Sequence, residues 1–211
     1  MKSIAGIILA AGESSRMGSD KALLRLGGET FISRLIRILE GKVSPVIVIL
    51  GYHANEIRNS LPEIHDLKVL LNNDYNLGQL SSLKIALAHL DNLATEGALI
   101  YLVDHPAMSR GVVDQLLDNF ERSKASVLIP TYEGRRGHPV LFARSLYDEL
   151  QQAPLELGAR AVVRRHEAET ELVPVDDPGI LIDVDTPADY QELLNKWESL
   201  TASREESSGQ I

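Results

Sequence analysis

The sequence contains no cysteine, has more acidic than basic residues, and lacks a long apolar run. The absence of cysteine excludes disulfide bonds, zinc sites built from thiolates and a cysteine nucleophile, although it leaves the cellular compartment open. The net charge of −9 argues against a protein that coats nucleic acid, because such proteins are usually basic. The apolar run near the N-terminus is short and contains Gly6, so we expect no signal peptide, no membrane span and a cytoplasmic protein.

The length and the order of the patterns predict one α/β domain. At 211 residues, of which 44% are hydrophobic, the chain can form a large core. Apolar segments alternate with helical ones, which predicts a single Rossmann-like three-layer domain with a mostly parallel sheet and helices on both faces. We assign this domain to 1–200. The polar composition of 201–211 predicts a disordered C-terminal tail.

Apolar runs and helix-capping residues predict the individual elements. Predicted strands lie at 4–9, 45–50, 67–71, 98–103, 125–129, 140–142 and 172–175, with a further short strand from 179. Predicted helices with a capping residue are 31–40 after Thr30, a helix that Ser81 or Ser82 begins, 110–122 after Ser109, and the last helix after Thr186.

A glycine-containing loop, 9–21, directly follows the first predicted strand. Gly12 and Gly18 permit backbone angles that side chains forbid, so the N–H groups between them can form a concave anion site. Arg16 and Lys21 add positive charge beside it. Its spacing fits neither a Walker A loop nor the GxGxxG motif. We interpret it as a loop that wraps a nucleotide triphosphate, the alternative being a solvated connection.

Acidic residues stand at two further positions where chemistry is expected. Asp104 directly follows a buried strand, and ligands of such sheets bind outside the carboxyl ends of strands. Asp183 and Asp185 are two residues apart on a short predicted strand, which would direct both to one face. The alternative is that Asp-Thr-Pro-x-Asp at 185–189 is simply a helix start.

The N-terminal loop resembles the LxxGxSxRxGxxK loop of nucleotidyltransferases with a MobA-like domain. Its Ala10-Ala11-Gly12 form is similar to that of the molybdenum cofactor cytidylyltransferases, whose guanylyl relatives usually carry glycine at Ala11. The resemblance extends to an Asp-x-Pro motif at 104–106, a Gly-His-Pro-Val turn at 137–140 and Asp-x-Asp-Thr-Pro-x-Asp at 183–189. Gln79 and His105 depart from the family, which usually has methionine at the first position and methionine or glutamine at the second.

The resemblance implies an enzyme that transfers a nucleotidyl group, CMP from CTP, to the phosphate of molybdopterin or the molybdenum cofactor and releases pyrophosphate. It implies Mg²⁺ as cofactor, because one or two carboxylates together with phosphate oxygens suit this ion. The nucleotide-binding residues implied are Leu9, Ala10, Ala11, Gly12, Arg16, Lys21, Gly78, Ser81, Ser82 and Asp104. Catalytic roles fall to Arg16, Lys21 and Asp104, metal binding to Asp104 and Asp185, and acceptor binding to Arg135, His138 and Arg160.

Several alternatives remain open at the level of sequence. The acceptor could be a sugar phosphate or another phosphorylated alcohol, or the chain could be a non-catalytic cofactor carrier that docks on a molybdenum hydroxylase. The arginines at 135–136 could be solvated residues of a hairpin, and the serines at 81–82 could only cap a helix. His105 could contact metal or substrate or be a partly exposed structural imidazole. The role of Asp183 is open, and neither nucleic acid nor membrane is an expected partner.

Overall fold

A mixed β-sheet with helices on both faces forms the centre of the computed structural model, which describes residues 2–208. The strands are β1 (Ile4–Ala10), β2 (Arg25–Leu26), β3 (Glu29–Thr30), β4 (Val46–Leu50), β5 (Leu67–Leu71), β6 (Gly97–Leu102), β7 (Val127–Tyr132), β8 (Arg135–Arg136), β9 (Val140–Ala143) and β10 (Thr170–Pro174). The α-helices are α1 (Phe31–Leu39), α2 (Ala54–Asn59), α3 (Gln79–Leu90), α4 (Arg110–Arg122), α5 (Tyr147–Gln152), α6 (Arg160–Arg165) and α7 (Pro187–Ser208). None of the helices described is long and apolar enough to cross a membrane.

The strand order brings the ends of distant segments to one edge of the sheet. Within residues 2–208, eight strands form this sheet in the order β10-β7-β9-β6-β1-β4-β5, and β8 pairs with β7 beside that row. β1 pairs in parallel with both β4 and β6, and β4 pairs in parallel with β5. β9 is antiparallel to β6 and β7. The carboxyl ends of β1, β4 and β6 therefore share an edge, which is where open α/β sheets bind ligands.

Alternate residues of the central strands contribute to two separate cores, as the period of a strand requires. Ile8 packs in the core that contains side chains of α1 and α4. Its neighbour Ile7 packs in the core that contains side chains of α3, α5 and α6. Both isoleucines have no solvent exposure, which explains why β1 reads as a continuous apolar run. The predicted three-layer fold is thereby confirmed.

The predicted helix starts differ in how well they match the structure. Thr30 caps α1, since its hydroxyl accepts a hydrogen bond from the Ser33 N–H (3.2 Å). Ser109 precedes α4, but its side chain does not cap the helix; instead, its own N–H donates to Asp177 Oδ2 (2.7 Å). At α7, Thr186 and Asp189 bond each other reciprocally, which is the capping-box arrangement.

The strand predicted from residue 179 is wrong. The segment Pro178–Leu181 is a 3₁₀ turn, and the Asp177 carboxylate at its start accepts a hydrogen bond from the Gly179 N–H (2.8 Å). Because the carboxylate satisfies this local donor, the backbone turns where its apolar side chains suggest extension. α7 continues to Ser208, so the backbone of 201–208 is helical where composition predicts disorder. Residues 209–211 lie outside the described residues, and the domain boundary at 200 remains a prediction.

Candidate active site

The N-terminal loop leaves the end of β1 and is held in shape by its own backbone. Ser14 has a positive φ of 55°, and its carbonyl accepts hydrogen bonds from the N–H groups of Met17 (2.9 Å) and Gly18 (3.2 Å). Its hydroxyl also accepts from the Lys21 N–H (3.1 Å). Met17 is buried in a small third core with residues of α1 and α7. These contacts fix the turn between Gly12 and Lys21 relative to the rest of the fold.

Lys21 joins the two carboxylates that the sequence places 81 positions apart. Its Nζ lies 3.4 Å from Asp104 Oδ2 and donates a short hydrogen bond to Asp185 Oδ1. Arg16 forms an ion pair with the other Asp185 oxygen (2.8 Å). The hydrogen bond from Lys21, followed by the charges of Lys21 and Arg16, holds the pKa of Asp185 below its ordinary value. The structure thus brings together both predicted metal ligands and both predicted basic residues.

Backbone contacts hold Asp104 and Asp185 in this arrangement. The Val184 N–H donates to the Asp104 carbonyl (2.9 Å), which ties the segment before α7 to the segment after β6. The Asp185 N–H donates to the Asp189 carboxylate at the start of α7 (3.1 Å). Asp185 is therefore positioned by the start of α7 and by the hydrogen bond between the Val184 and Asp104 backbones. The strand that was predicted for it does not form.

Ser81 and Ser82 do not cap α3, contrary to the prediction. Gly78 occupies the capping position, and the serines lie within the first turn, where Ser81 Oγ donates to the Gly78 carbonyl (2.7 Å). The side-chain amide of Asn72 donates to both serine hydroxyls, at 2.8 and 2.9 Å. Asn72 is 1% exposed, and no role was predicted for it from the sequence. Its position directly after a parallel strand is the sequence feature that could have identified it as a residue of the site.

A first cavity of about 300 Å³ lies over this cluster at the carboxyl edge of the sheet. The predicted nucleotide residues Ala10 and Ser81 do not line it; they lie buried behind its wall. Sequence reasoning did not assign Ser14, Ser15, Tyr75, Gln79 and Val103, which also line it. Its lining is Leu9, Ala11, Gly12, Ser14, Ser15, Arg16, Lys21, Tyr75, Gly78, Gln79, Ser82, Val103, Asp104 and Asp185.

Gly51 allows the wall of the first cavity to approach the N-terminal loop closely. A Cβ at this position would lie 2.7 Å from the Ala11 carbonyl oxygen and 2.8 Å from Tyr75 Cβ. The next N–H, that of Tyr52, donates to the same Ala11 carbonyl (3.1 Å). Any side chain at position 51 would therefore separate the loop from the Tyr75 segment. Glycine is needed at position 51 because no Cβ fits there, and the backbone angles at this residue are ordinary.

A second cavity of about 560 Å³ adjoins the first. Two of the three predicted acceptor residues, His138 and Arg160, line it. The third, Arg135, does not; Arg136 takes that place and forms an ion pair with Glu167. Apolar side chains make up much of the remaining wall: Leu80, Leu83, Ile100, Leu102, Ile129, Val140, Phe142, Leu155, Leu157 and Val163.

His105 packs against His138, which lines the second cavity. Their ring centroids are 4.5 Å apart with an interplanar angle of 35°. His105 Nε2 lies 3.9 Å from Asp104 Oδ1, and its side chain is only 12% exposed. Burial lowers the pKa of His105, and burial followed by the charge of His105 lowers the pKa of His138 to about 4. His105 is thus a partly buried imidazole, in line with the structural role that was considered from sequence.

The partly buried His138 predicts a loss of stability in mild acid. An unfolded histidine binds a proton below its ordinary pKa of 6.5, whereas the folded His138 binds one only near pH 4. Between these values the unfolded state holds more protons, so stability falls as the pH is lowered, by about 1.4 kcal/mol per unit. Between about pH 7 and about pH 5, the free energy of unfolding measured in urea should fall in both proteins. We expect the fall to be smaller by roughly 2 kcal/mol in His138→Gln than in the wild type. Equal losses in both proteins would contradict this account.

The two carboxylates can accept a divalent metal ion. Asp104 Oδ1 is buried and lacks a hydrogen-bond partner among the described residues, so it has a free ligand position. Asp185 Oδ1 faces the same ammonium group as Asp104 Oδ2, so one cation contacts both side chains. Within residues 2–208, no three His, Cys, Asp or Glu side chains converge on one point. Mg²⁺ would therefore complete its octahedron with phosphate oxygens and water, as it commonly does.

Comparison with known protein families identifies the chain as a nucleotidyltransferase. The chain belongs to the MobA-like NTP transferase family: the family model "MobA-like NTP transferase domain" matches residues 6–170.

Relatives of both base specificities are found. A molybdenum cofactor cytidylyltransferase of Escherichia coli is 27% identical over 190 residues, which cover 90% of this chain and 95% of the relative. A probable molybdenum cofactor guanylyltransferase of Bacillus cytotoxicus is 30% identical over 143 residues, covering 68% and 69%.

Solved structures of similar chains have the same fold. The Rv0371c homologue from Mycobacterium sp. strain JC1 is 31% identical, with a TM-score of 0.80 over 95% of this chain and all of the other. Rv0371c of Mycobacterium tuberculosis in complex with manganese is 26% identical, with a TM-score of 0.73 over 92% of this chain and 99% of the other.

Proposed function

We propose that this enzyme transfers CMP from CTP to the phosphate of molybdopterin, releases pyrophosphate and requires Mg²⁺. The observation that carries the proposal is the convergence of Arg16, Lys21, Asp104 and Asp185 on the first cavity, with a second cavity beside it. The first cavity would bind the nucleotide and the second the acceptor. The relatives of known name support the acceptor, and the Ala10-Ala11-Gly12 loop supports the choice of CTP.

Each basic and acidic group has a separate task in this proposal. Arg16 and Lys21 bind the β- and γ-phosphates and neutralise the charge that develops as pyrophosphate leaves. Asp104 and Asp185 would hold the metal ion, which when bound supplies positive charge at the reacting phosphate. An oxygen of the acceptor phosphate attacks the α-phosphorus in line. Because this phosphate is already ionised near neutral pH, the reaction needs neither a protein nucleophile nor a general base.

The charges of the site suggest that ligand binding exchanges ionic partners. The ammonium of Lys21 bridges the two carboxylates, and Arg16 pairs with Asp185, so two positive charges face two negative ones. A metal ion held by Asp104 and Asp185 would leave the ammonium of Lys21 available to the phosphates. Lys21 is 9% exposed, so the exchange occurs where water screens charges poorly.

The second cavity supports molybdopterin over a sugar phosphate. Its arginines and His138 lie beside many aliphatic side chains. A sugar would lose hydration of its hydroxyls there with few partners in exchange, and each such unpaired group costs free energy. Molybdopterin has a flat ring system and a terminal phosphate, which suits an apolar wall with cationic groups nearby. We further propose that the reaction takes place in the cytoplasm and that a molybdenum hydroxylase receives the product.

The choice of base is tested by calorimetric titration with CTP and with GTP in the presence of Mg²⁺. Ala11 and Gly12, which line the first cavity, leave room for a pyrimidine edge beside the loop backbone, so we expect CTP to bind more tightly. Tighter binding of GTP would end the claim for CTP. Pyrophosphate release is then compared with molybdopterin and with a sugar 1-phosphate as acceptor. Release with the sugar phosphate alone would refute the proposed acceptor.

A further inference from the structure

Gln79 and Leu9 are shared between the walls of the first and second cavities, as judged from the residues that the structure describes. Leu9 is 7% exposed and contributes an apolar surface. Gln79 is exposed and carries a side-chain amide, so it offers a hydrogen-bond donor where the cavities meet.

The backbone of Gln79 is fixed, whereas its amide is available. Gly78, with a φ of 92°, directs the chain into α3, and its carbonyl accepts bonds from both the N–H (3.1 Å) and the hydroxyl (2.7 Å) of Ser81. Asn72 in turn holds the Ser81 hydroxyl. No hydrogen bond within residues 2–208 occupies the side-chain amide of Gln79, in contrast to those of Asn72 and Gln151.

The reaction itself requires that its centre lie at the junction of the cavities. A nucleotide in the first cavity and an acceptor in the second become joined at one phosphorus, so this atom must be accessible from both. Arg16 and Lys21 line only the first cavity, and Arg160 lines only the second. These charged donors therefore each line one cavity, whereas the amide of Gln79 is a donor that lines both.

We propose that the side-chain amide of Gln79 donates a hydrogen bond to a non-bridging oxygen of the transferred α-phosphate. This inference rests on the proposed function. In the step concerned, an acceptor phosphate oxygen forms a bond to the α-phosphorus while the bond from that phosphorus to the leaving pyrophosphate breaks. The acceptor oxygen supplies the electron pair and pyrophosphate takes one away. The amide contributes orientation and charge stabilisation without giving up its proton.

The test is the variant Gln79→Met, which keeps the length of the side chain and removes the donor. A hydrogen bond to a charged group contributes enough to lower kcat by about 10- to 100-fold, whereas we expect KM for CTP to change less than about threefold. The probes are CTP, Mg²⁺ and molybdopterin, with pyrophosphate release as readout. Gln115→Met removes an exposed glutamine amide on α4, away from both cavities, and serves as the matched control.

A second measurement separates a contact to phosphate from a merely structural role. The two diastereomers of CTP with sulfur at one non-bridging α-oxygen are compared as substrates. The wild type should react more slowly with the diastereomer whose sulfur faces Gln79, and Gln79→Met should lose this discrimination. If the wild type is active, a wild-type kcat in Gln79→Met would overturn this inference alone. Unchanged discrimination between the two diastereomers in that variant would do the same. An inactive wild type would overturn the proposed function and this inference with it.

Discussion

Replacing Asp104 with alanine is expected to abolish turnover while weakening nucleotide binding less than about tenfold. The carboxylate lies at the end of β6, contacts Lys21 and has a buried oxygen with a free ligand position. Its proposed role is to hold the metal ion at the reacting phosphate, an interaction that is strongest in the transition state and worth several kcal/mol. The nucleotide keeps Arg16, Lys21 and the loop as binding partners. Binding should therefore survive the change that removes catalysis.

Two variants make this experiment specific. Asp104→Asn preserves the size of the side chain and should also be inactive, because the amide is a poor metal ligand. Asp114→Ala removes a carboxylate of α4 that pairs with Lys42 away from both cavities and should retain wild-type kcat. Steady-state pyrophosphate release and calorimetric CTP titration are measured for each protein. Full turnover by Asp104→Ala would remove Asp104 from the metal site.

Replacing Lys21 with alanine should lower kcat by roughly 10²-fold or more, the scale of losing one transition-state donor. Its ammonium is buried between Asp104 and Asp185, where a missing charge cannot be replaced by bulk water. Loss of this group leaves the departing pyrophosphate with less positive charge beside it. The same change leaves two carboxylates facing each other, so the variant should also bind Mg²⁺ more tightly in the absence of nucleotide.

The control for Lys21→Ala is Lys42→Ala, which removes an ammonium from the surface pair with Asp114 (2.5 Å). Its kcat and its metal affinity should equal those of the wild type, because surface ion pairs contribute little. Single-turnover kinetics and calorimetric metal titration supply the two readouts. If Lys21→Ala turned over at the wild-type rate, the assignment of this lysine to the leaving group would be wrong.

Local patterns in the sequence correctly predicted most elements around the site. β1 and β6 read as apolar runs because both are buried, and Gly12 follows the first run whereas Asp104 follows the second. Thr30 and Thr186 predicted their helices because capping depends on residues that are close in sequence. The convergence of Asp104 with Asp185 was proposed from motifs, and the fold brings both side chains to one ammonium group.

The errors occurred where the partner of a polar group decides local structure. Ser81 was predicted as a helix cap, but Asn72 and Gly78 hold its hydroxyl inside the first turn. Arg135 was predicted to face the acceptor, but β8 is too short for its faces to be inferred, and Arg136 lines the cavity instead. Each error involved a polar side chain whose partner could not be identified from spacing.

The sequence alone determined the class of the fold, the position of the phosphate-type loop and the identity of its basic and acidic residues. These depend on periodicity, glycine placement and capping, which act over a few neighbouring residues. The tertiary structure alone decided that Lys21 contacts an aspartate 164 positions away, that His105 packs against His138, and that two cavities meet at Gln79. Such relations follow from the strand order and from packing across layers, and no local pattern of residues encodes them.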